Sequence, residues 1–320
     1  MDAFDTLGRI ITLTLFAATL RMATPVLFAT LGGIFSAHSG VFNVGLEGLL
    51  DLGAFFAVVG SVALGSPWAG LALAVVSCLI ASLMFAVIHL ELKAHEIIVG
   101  LALNLFAYGL TNYLLVAILK ATGFYKSPLI IGFQPVNIPL IERIPIVSEL
   151  LSGHSPLVYL GFLGVALAYV GLFKTPWGFH LRAVGENVEA AEAVGINTRL
   201  MKYVGMLLSG ALCGFGGAFL SLAYLNMFSE NMTAGRGWLA LAAVNFGEGR
   251  PLKSLVACLI FGFADALAIR LQQFGLPSQL VLMLPYVATL VVLILSAIQR
   301  SRKAEKVLES PPPATKLVEV

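Results

Sequence analysis

The sequence predicts an all-α membrane protein whose chain crosses the bilayer many times. Hydrophobic residues make up 59% of its 320 residues and charged residues only 11%, whereas a soluble domain carries about 25% charged residues. The mean hydropathy is +0.94. A helix needs about 20 apolar residues to cross a bilayer. Uncharged runs of that length or more cover residues 52–88, 97–119, 155–173, 203–229 and 271–299.

Taken in order, the apolar runs predict a polytopic protein with about 8–10 transmembrane helices, some of them broken or re-entrant. The segment 237–247 is too short to cross alone, so we expect protein or a water-filled path to surround it. The predicted spans lie near residues 10–31, 42–64, 67–90, 97–119, 156–173, 203–226, 237–247, 254–273 and 278–299.

A short repeat suggests that the chain has two structural halves. Gly32–Phe35 and Gly216–Phe219 share a Gly-Gly-x-Phe pattern, and each precedes a glycine-rich, broken apolar stretch. Discontinuous segments at corresponding places in two halves are typical of a transport pathway.

The basic residues predict the orientation of the chain. If 237–247 counts as a crossing, 12 of the 19 Lys and Arg residues fall on one side: in the loop 174–202, near 250–253, at Lys93 and in the C-terminal tail. Basic loops remain in the cytoplasm. The C-terminus is therefore predicted to be cytoplasmic, and the 120–155 connection and the N-terminus to lie outside.

The chain is predicted to form one transmembrane domain, residues 1–300, followed by a tail at 301–320. The tail is polar and contains three consecutive prolines, a composition typical of disorder.

One polar island, residues 174–202, interrupts the apolar sequence. Its middle predicts a short helix, because Asn187 is suited to cap the start, Glu189 suits the positive first turn, and Gly195 suits the end. A short helix on a cytoplasmic loop between two spans is a surface that a soluble partner can push.

The predicted island helix has an acidic face and a small apolar face. Glu186, Glu189 and Glu192 are spaced three apart and share a side, while the small apolar residues lie away from it. The residues assigned to this helix and its contacts are Glu186, Asn187, Glu189, Ala190, Ala191, Glu192, Val194 and Gly195.

Motifs for catalysis and metal binding are absent from the sequence. It has no G-x-x-x-x-G-K-[ST] nucleotide loop, no H-E-x-x-H and no G-x-S-x-G. Cys78, Cys213 and Cys258 lie within apolar runs without metal-ligand spacing. We therefore expect a non-enzymatic chain without metal or cofactor, and any ATP that drives it would be hydrolysed by another chain.

Three motifs resemble those of a known family. FNVGLEG and LGAFFA at 42–57, GENVEAAEAVGIN at 185–197 and GWLALAAVNFGEGRP at 237–251 resemble the permease subunits of bacterial ABC importers. The branch includes ribose, branched-chain amino-acid and nucleoside permeases, and the motifs are most similar to the nucleoside (simple-sugar type) permeases. The resemblance covers about residues 20–300 and implies a fold like that of type II importers.

The resemblance also implies a location and partners. The location is the bacterial inner membrane. The partners are a cytoplasmic ATPase that binds ATP and Mg²⁺, a second related permease in a homo- or heterodimer, and an extracytoplasmic substrate-binding protein. Residues 186–196 would be the coupling helix that docks in the ATPase, although Val188 stands where the family commonly has proline.

Six residues are candidates for lining the substrate pathway. An ionised carboxylate at membrane depth is usually functional or paired, so Glu47 is either a functional group or the cap of a half-helix. Each candidate amide hydrogen-bonds either the nucleoside or a neighbouring helix, and each aromatic ring either stacks on a base or fills space. The candidates are Asn43, Glu47, Asn104, Trp238, Asn245 and Phe246.

Two other functions remain open from sequence. One is import of ribose or another simple sugar. The other is ion-coupled secondary transport, in which Glu47, Asp51 and Asp265 would be the acids that carry the ion. Arg21 is either a buried partner for an acid such as Glu47 or a sign that the first span starts later, and Asp265 and Arg270, near one span end, are candidates for a local pair.

Overall fold

The computed structural model describes residues 13–137 and 152–272, together with residues 283, 287, 290, 291 and 294. Apart from those five residues, the predicted span at 278–299 lies outside the described residues, and so does the predicted tail. The helices are α1 (Leu13–His38), α2 (Leu46–Leu64), α3 (Pro67–Leu90), α4 (Glu96–Leu119), α5 (Pro156–Lys174), α6 (Pro176–Glu186), α7 (Val188–Ala193), α8 (Thr198–Ala218), α9 (Arg236–Phe246) and α10 (Pro251–Gln272), and the strands are β1 (Phe124–Tyr125) and β2 (Phe228–Ser229).

Among the described residues, seven helices are long and apolar enough to cross a membrane. They are α1 to α5, α8 with the π-helical segment Phe219–Tyr224 that extends it, and α10. Helix α9 has 11 residues, which agrees with the prediction that 237–247 is too short to cross alone. The chain is a multi-pass helical membrane protein.

Helix ends fall where proline and glycine direct them. Helices α3, α5 and α6 each begin with proline, whose fixed φ suits the first helical position and whose missing N–H is not needed there. Helix α2 ends at Gly65, which has a left-handed φ of 63° and donates its N–H to Ser61 O.

The first helix extends seven residues beyond the predicted end at position 31. It continues through two glycines to His38 because those glycines make contacts between helices. A Cβ on Gly32 would lie 2.8 Å from the carbonyl oxygen of Ser209 in α8. Small residues allow membrane helices to approach this closely.

The bundle has two ends that carry different structures. Helix α1 packs against α8, α9 and α10, and α2 packs against α3, α4 and α8. We call the end with α6 and α7 the island end. At the other, the hairpin end, β1 and β2 pair antiparallel, with Phe124 opposite Ser229 and Tyr125 opposite Phe228.

Each of the two glycine-rich stretches that follow the Gly-Gly-x-Phe repeat contains a helix that begins inside the bundle. In the first, residues 39–45 separate α1 from α2. In the second, residues 225–235 include β2 and separate the π-helical segment from α9. The short repeat thus marks two discontinuous segments.

Candidate functional site

A buried amide on the first break links it to α8. The Asn43 side chain donates from Nδ2 to Ser209 Oγ at 2.9 Å. Its Oδ1 accepts from Gly45 N at 2.9 Å. The sequence left open whether Asn43 contacts substrate or a neighbouring helix, and the bond to Ser209 is a contact with a neighbouring helix. Asn43 is 1% exposed.

A second amide spans the start of α2. The Asn104 side chain of α4 accepts from Gly48 N at 2.8 Å and donates to Val44 O at 3.0 Å. Asn104 is 4% exposed. Backbone groups at the start of a helix have no hydrogen-bond partner within the helix. Asn104 supplies partners to two backbone groups there, so the geometry favours a role in stabilising the start of α2.

Glu47 lies where two helices begin. It is in the first turn of α2, and its carboxylate accepts from the N–H of Gly235 at 2.8 Å and of Gly237 at 2.5 Å, at the start of α9. The N-termini of both helices carry partial positive charge that stabilises an anion. A Cβ on Gly237 would overlap the Glu47 backbone, so glycine allows the contact. The Glu47 carboxylate thus caps the start of α9, as one of its two sequence interpretations expects.

This carboxylate lies near the middle of the bundle. The 11 residues of α9 rise about 16 Å from Glu47 to the island end. That end of α9 is fixed at the island end because His38 Nε2 donates to Gly249 O at 2.9 Å. A helix of this length covers about half of a hydrocarbon core that is about 30 Å thick.

A second carboxylate and three hydroxyl groups adjoin Glu47. Thr111 Oγ1 donates to Asp51 Oδ2 at 2.8 Å, and Asp51 is one helical turn beyond Glu47 on α2. Within the described part of the chain, Asp51 Oδ1 has no hydrogen-bond partner. Tyr108 on α4 lies near the Glu47 carboxylate and the Thr233 hydroxyl. The interior of the apolar bundle thus contains a polar cluster.

Helix α9 leaves one face uncovered by the described residues. Trp238 is 44% exposed, and Asn245, seven residues later and hence on the same face, is exposed. Asn245 Nδ2 donates to Leu241 O at 3.1 Å. Phe246 is partly buried, with its ring centroid 6.2 Å from that of Phe261.

The structure separates the six candidates into two groups. Asn43, Glu47, Asn104 and Trp238 surround the starts of α2 and α9. Asn245 and Phe246 lie at the opposite end of α9, toward the island end.

The island consists of two helices joined at Asn187. Asn187 Oδ1 accepts from Ala190 N at 3.0 Å, and Gly195 adopts a φ of 83° just after α7, which confirms the predicted start and end. Helix α6, which ends at Glu186, was not predicted from the sequence. Glu186 therefore does not continue the face of α7, and the prediction of one acidic face across both was wrong.

The exposed apolar side of α7 also differs from the prediction. Ala191 is 3% exposed and faces its own chain, so it is not available to a partner. Ala190 is exposed, and Val194, four residues later, is 75% exposed. The side that is free to pack against another protein is therefore formed by Ala190 and Val194.

Polar contacts tie the island to its neighbours. Thr198 Oγ1 donates to the Glu192 carboxylate at 2.7 Å, which links α7 to α8. Arg199 lies 2.6 Å from Glu91, in the turn between α3 and α4, and Tyr203 donates to the same carboxylate at 2.8 Å. These hydrogen bonds, with the Tyr203 bond first, lower the pKa of Glu91.

Two candidate charge pairings were wrong. Asp265 lies 3.7 Å from Arg236, the first residue of α9, while Arg270 donates to Thr14. Arg21 does not pair with Glu47; it lines a cavity of about 1030 Å³ near the hairpin end. Opposite charges inside two separate apolar runs were the available signal for the Arg236–Asp265 pair.

Broken helices that begin inside a multi-pass bundle, with a short helix exposed at one end, are typical of membrane transport subunits. The chain belongs to the family described as branched-chain amino acid transport system / permease component, whose model matches residues 15–294.

Two curated relatives match most of the chain. The guanosine ABC transporter permease protein NupQ of Bacillus subtilis is 36% identical over 289 residues, which is 86% of this chain and 89% of the relative. The nucleoside ABC transporter permease protein NupC of Lactococcus lactis is 36% identical over 297 residues, which is 87% of this chain and 90% of the relative.

A solved structure supports the fold. An ABC transporter described as of metal-chelate type, in an inward-facing conformation, aligns with a TM-score of 0.50 and 17% identity, over 88% of this chain and 84% of that chain. At this identity the similarity concerns the fold alone.

Proposed function

We propose that this chain is the permease subunit of an ATP-driven importer of nucleosides. It forms the translocation pathway, binds no cofactor itself, and couples to a separate ATPase that binds ATP and Mg²⁺. A second related permease completes the pathway, and an extracytoplasmic binding protein delivers the substrate. Both relatives at 36% identity are named as permeases for guanosine or nucleosides, which supports this substrate class.

The observation that carries the coupling role is the exposed apolar side of α7. Val194 is 75% exposed on a capped helix at the island end, where an aliphatic side chain in water has no stabilising contact. Docking of an ATPase would bury it. The excess of basic residues in the same loops supports a cytoplasmic position for the island end, and we infer the same side for the C-terminus.

The described acids support ATP coupling over ion coupling. The Glu47 carboxylate is bonded to two backbone N–H groups, and Asp265 is paired with Arg236. Both acids are thus engaged by partners that an ion would have to displace. Asp51 is the remaining acid of the three, and its substitution is a direct test of the alternative.

The test is uptake into proteoliposomes that contain this chain with its ATPase, second permease and binding protein. With ATP in the compartment that holds the ATPase, radiolabelled guanosine should enter, and unlabelled uridine or adenosine should compete while ribose should not. Competition by ribose alone would replace the substrate class with a sugar. Uptake by this chain alone, driven by a proton or sodium gradient, would refute the ATP-driven mechanism.

A further inference from the structure

Two segments of the chain form a closed ring from the island end to the middle of the bundle. The ring consists of residues 38–47 and 235–249, and we call it the half-helix ring. At the island end it is closed by the His38–Gly249 hydrogen bond of 2.9 Å. At mid-depth it is closed by the Glu47 carboxylate, which accepts both N–H bonds from the start of α9.

The island rests directly on the closed corner of this ring. Gly185, in the last turn of α6, packs against the backbone of the residues that follow α1. A Cβ there would lie 2.9 Å from the carbonyl carbon of His38 and 3.2 Å from the N of Gly40. The two backbones are in direct contact, so no flexible side chain lies between them to absorb a displacement. Packed protein also has little free volume, so movement of α6 should move the residues after α1.

The two sides of the ring resist deformation. One side is α9, a helix whose internal hydrogen bonds fix its length. The other is the break at 39–45, where Asn43 bonds Gly45 N and Ser209 Oγ. These two bonds brace the break between His38 and Glu47, so a displacement at one corner is carried toward the other.

We propose that the half-helix ring transmits movement of the island to the middle of the bundle, with His38 and Glu47 as the two positioning residues that close it. The inference rests on the proposed function, since a docked ATPase is what moves the island. Its consequence is that Trp238, next to the Glu47 bond and 44% exposed, changes its environment when ATP binds.

A single cysteine at position 238 provides a readout that does not depend on the substrate. Cys78, Cys213 and Cys258 are 0% exposed, so a maleimide should label W238C selectively. In the full complex, we expect ATP with vanadate to change the labelling rate at least fivefold. His38→Leu, which removes the donor to Gly249, should reduce that change to less than twofold, and His38→Gln, which retains a donor, should restore it.

The matched control removes a different contact of α1, the helix that ends at His38. Thr30 Oγ1 lies 3.3 Å from Cys258 Sγ, which links α1 to α10 outside the ring. Thr30→Val should keep the full response to ATP. If His38→Leu keeps the response, or if Thr30→Val loses it equally, the ring does not transmit the movement.

Glu47→Gln weakens the contact between Glu47 and the start of α9, which closes the other end of the ring. This variant tests the proposal even if the His38 variants fail to assemble. Glutamine has one acceptor oxygen where the carboxylate offers two, so one of the two N–H bonds is lost. We expect the ATP hydrolysed per nucleoside imported to rise at least fivefold; a parallel fall of both rates would indicate a structural role and overturn the proposal. Failure of the proposed function is distinguishable, because W238C alone would then show neither ATPase association nor a response to ATP.

Discussion

The Arg199 guanidinium lies 2.6 Å from the Glu91 carboxylate and joins the start of α8 to the turn between α3 and α4. Arg199 lies near the C-terminal end of the island, so this pair and the Thr198–Glu192 bond fix the island to the bundle. The Arg199 side chain is 70% exposed and that of Glu91 35% exposed. Solvent therefore screens the pair, and its contribution to stability is small.

Charge reversal tests this pair. Glu91→Arg places like charges together and should slightly lower the thermal unfolding temperature, while the double exchange with Arg199→Glu should restore it. The difference should disappear at 1 M salt, where the Debye length is about 3 Å. An effect that persists in high salt would mean that packing, and not charge, is responsible.

The pH dependence of this pair follows from the lowered pKa of Glu91. A carboxyl whose pKa is lowered by folding stabilises the folded state above its ordinary pKa, and that contribution is lost as pH falls through the lowered value. The difference in melting temperature between wild type and Glu91→Gln should therefore be the same at pH 7.5 and pH 5.5, and should decline only below about pH 4.3. A decline between pH 7.5 and 5.5 would contradict it.

Asn104 should be required for stability of the break. Asn104→Leu leaves Gly48 N–H and Val44 C=O buried without partners, and each such group costs about 1–3 kcal/mol. We expect a stability loss of at least about 2 kcal/mol, measured as an earlier transition in fluorescence-detected thermal unfolding in detergent. Asn112→Leu, at an exposed position on the same helix, is the control and should have little effect.

Gly217 should be a close-packing position between α8 and α2. A Cβ there would overlap the carbonyl oxygen of Leu50 and the amide of Ala54, and overpacking costs about 1–3 kcal/mol. Gly217→Ala should therefore lower the melting temperature. Among the residues that the structure describes, no atom beyond the chain neighbours and the helix's own nearby backbone lies within 4 Å of a Cβ at Gly109. Gly109→Ala should therefore not lower the melting temperature, and should raise it slightly because alanine is the better helix former. An equal fall for both variants would show that the close contact at Gly217 is not responsible.

The fold could be predicted from sequence where the signal is local. The apolar run gave α3 as 67–90, which is its observed range, because hydropathy alone decides which residues enter the membrane. Asn187 and Gly195 were placed correctly because their capping bonds involve the adjacent turn.

The sequence could not predict contacts between distant backbone groups. Glu47 accepts from N–H groups 188 and 190 positions later, and every non-proline residue has such a group, so nothing in the sequence marks the partner. The side of α7 that faces the chain was missed for a related reason. The sides of the island helix were predicted as if Glu186 and residues 188–194 belonged to one helix. The chain breaks at Asn187, so α7 has a different orientation, and Ala191 is buried against the chain.

Asp51→Asn should separate ATP coupling from ion coupling. Asparagine has nearly the same shape, and its Oδ1 can accept the Thr111 hydroxyl in place of the carboxylate. It cannot bind or release a proton in the same range. ATP-driven uptake in proteoliposomes should remain within about twofold of wild type, a change of less than 0.5 kcal/mol in the barrier. Abolished uptake with normal stability would favour the ion-coupled mechanism.

Val194 should be required for docking of the ATPase. Val194→Arg places a charge and a longer side chain on the exposed apolar side of α7, where Val194 is 75% exposed. Burial of an unpaired charge in an interface is costly, so we expect at least tenfold less ATPase to copurify and uptake to fall with it. The chain should still insert, because the proposed orientation puts the island on the cytoplasmic side, where an added basic residue agrees with the positive-inside rule.

The control for Val194 is the same substitution at the hairpin end. Val136 is 41% exposed, and Val136→Arg should leave ATPase copurification unchanged. Ala191→Arg is a poor probe of docking, since Ala191 is buried within the chain and its substitution disturbs the packing of α7. Cysteine crosslinks from position 190 to the ATPase should form, and those from 191 should not. Normal copurification and uptake by Val194→Arg would show that the island is a connecting loop, and the coupling role would be withdrawn.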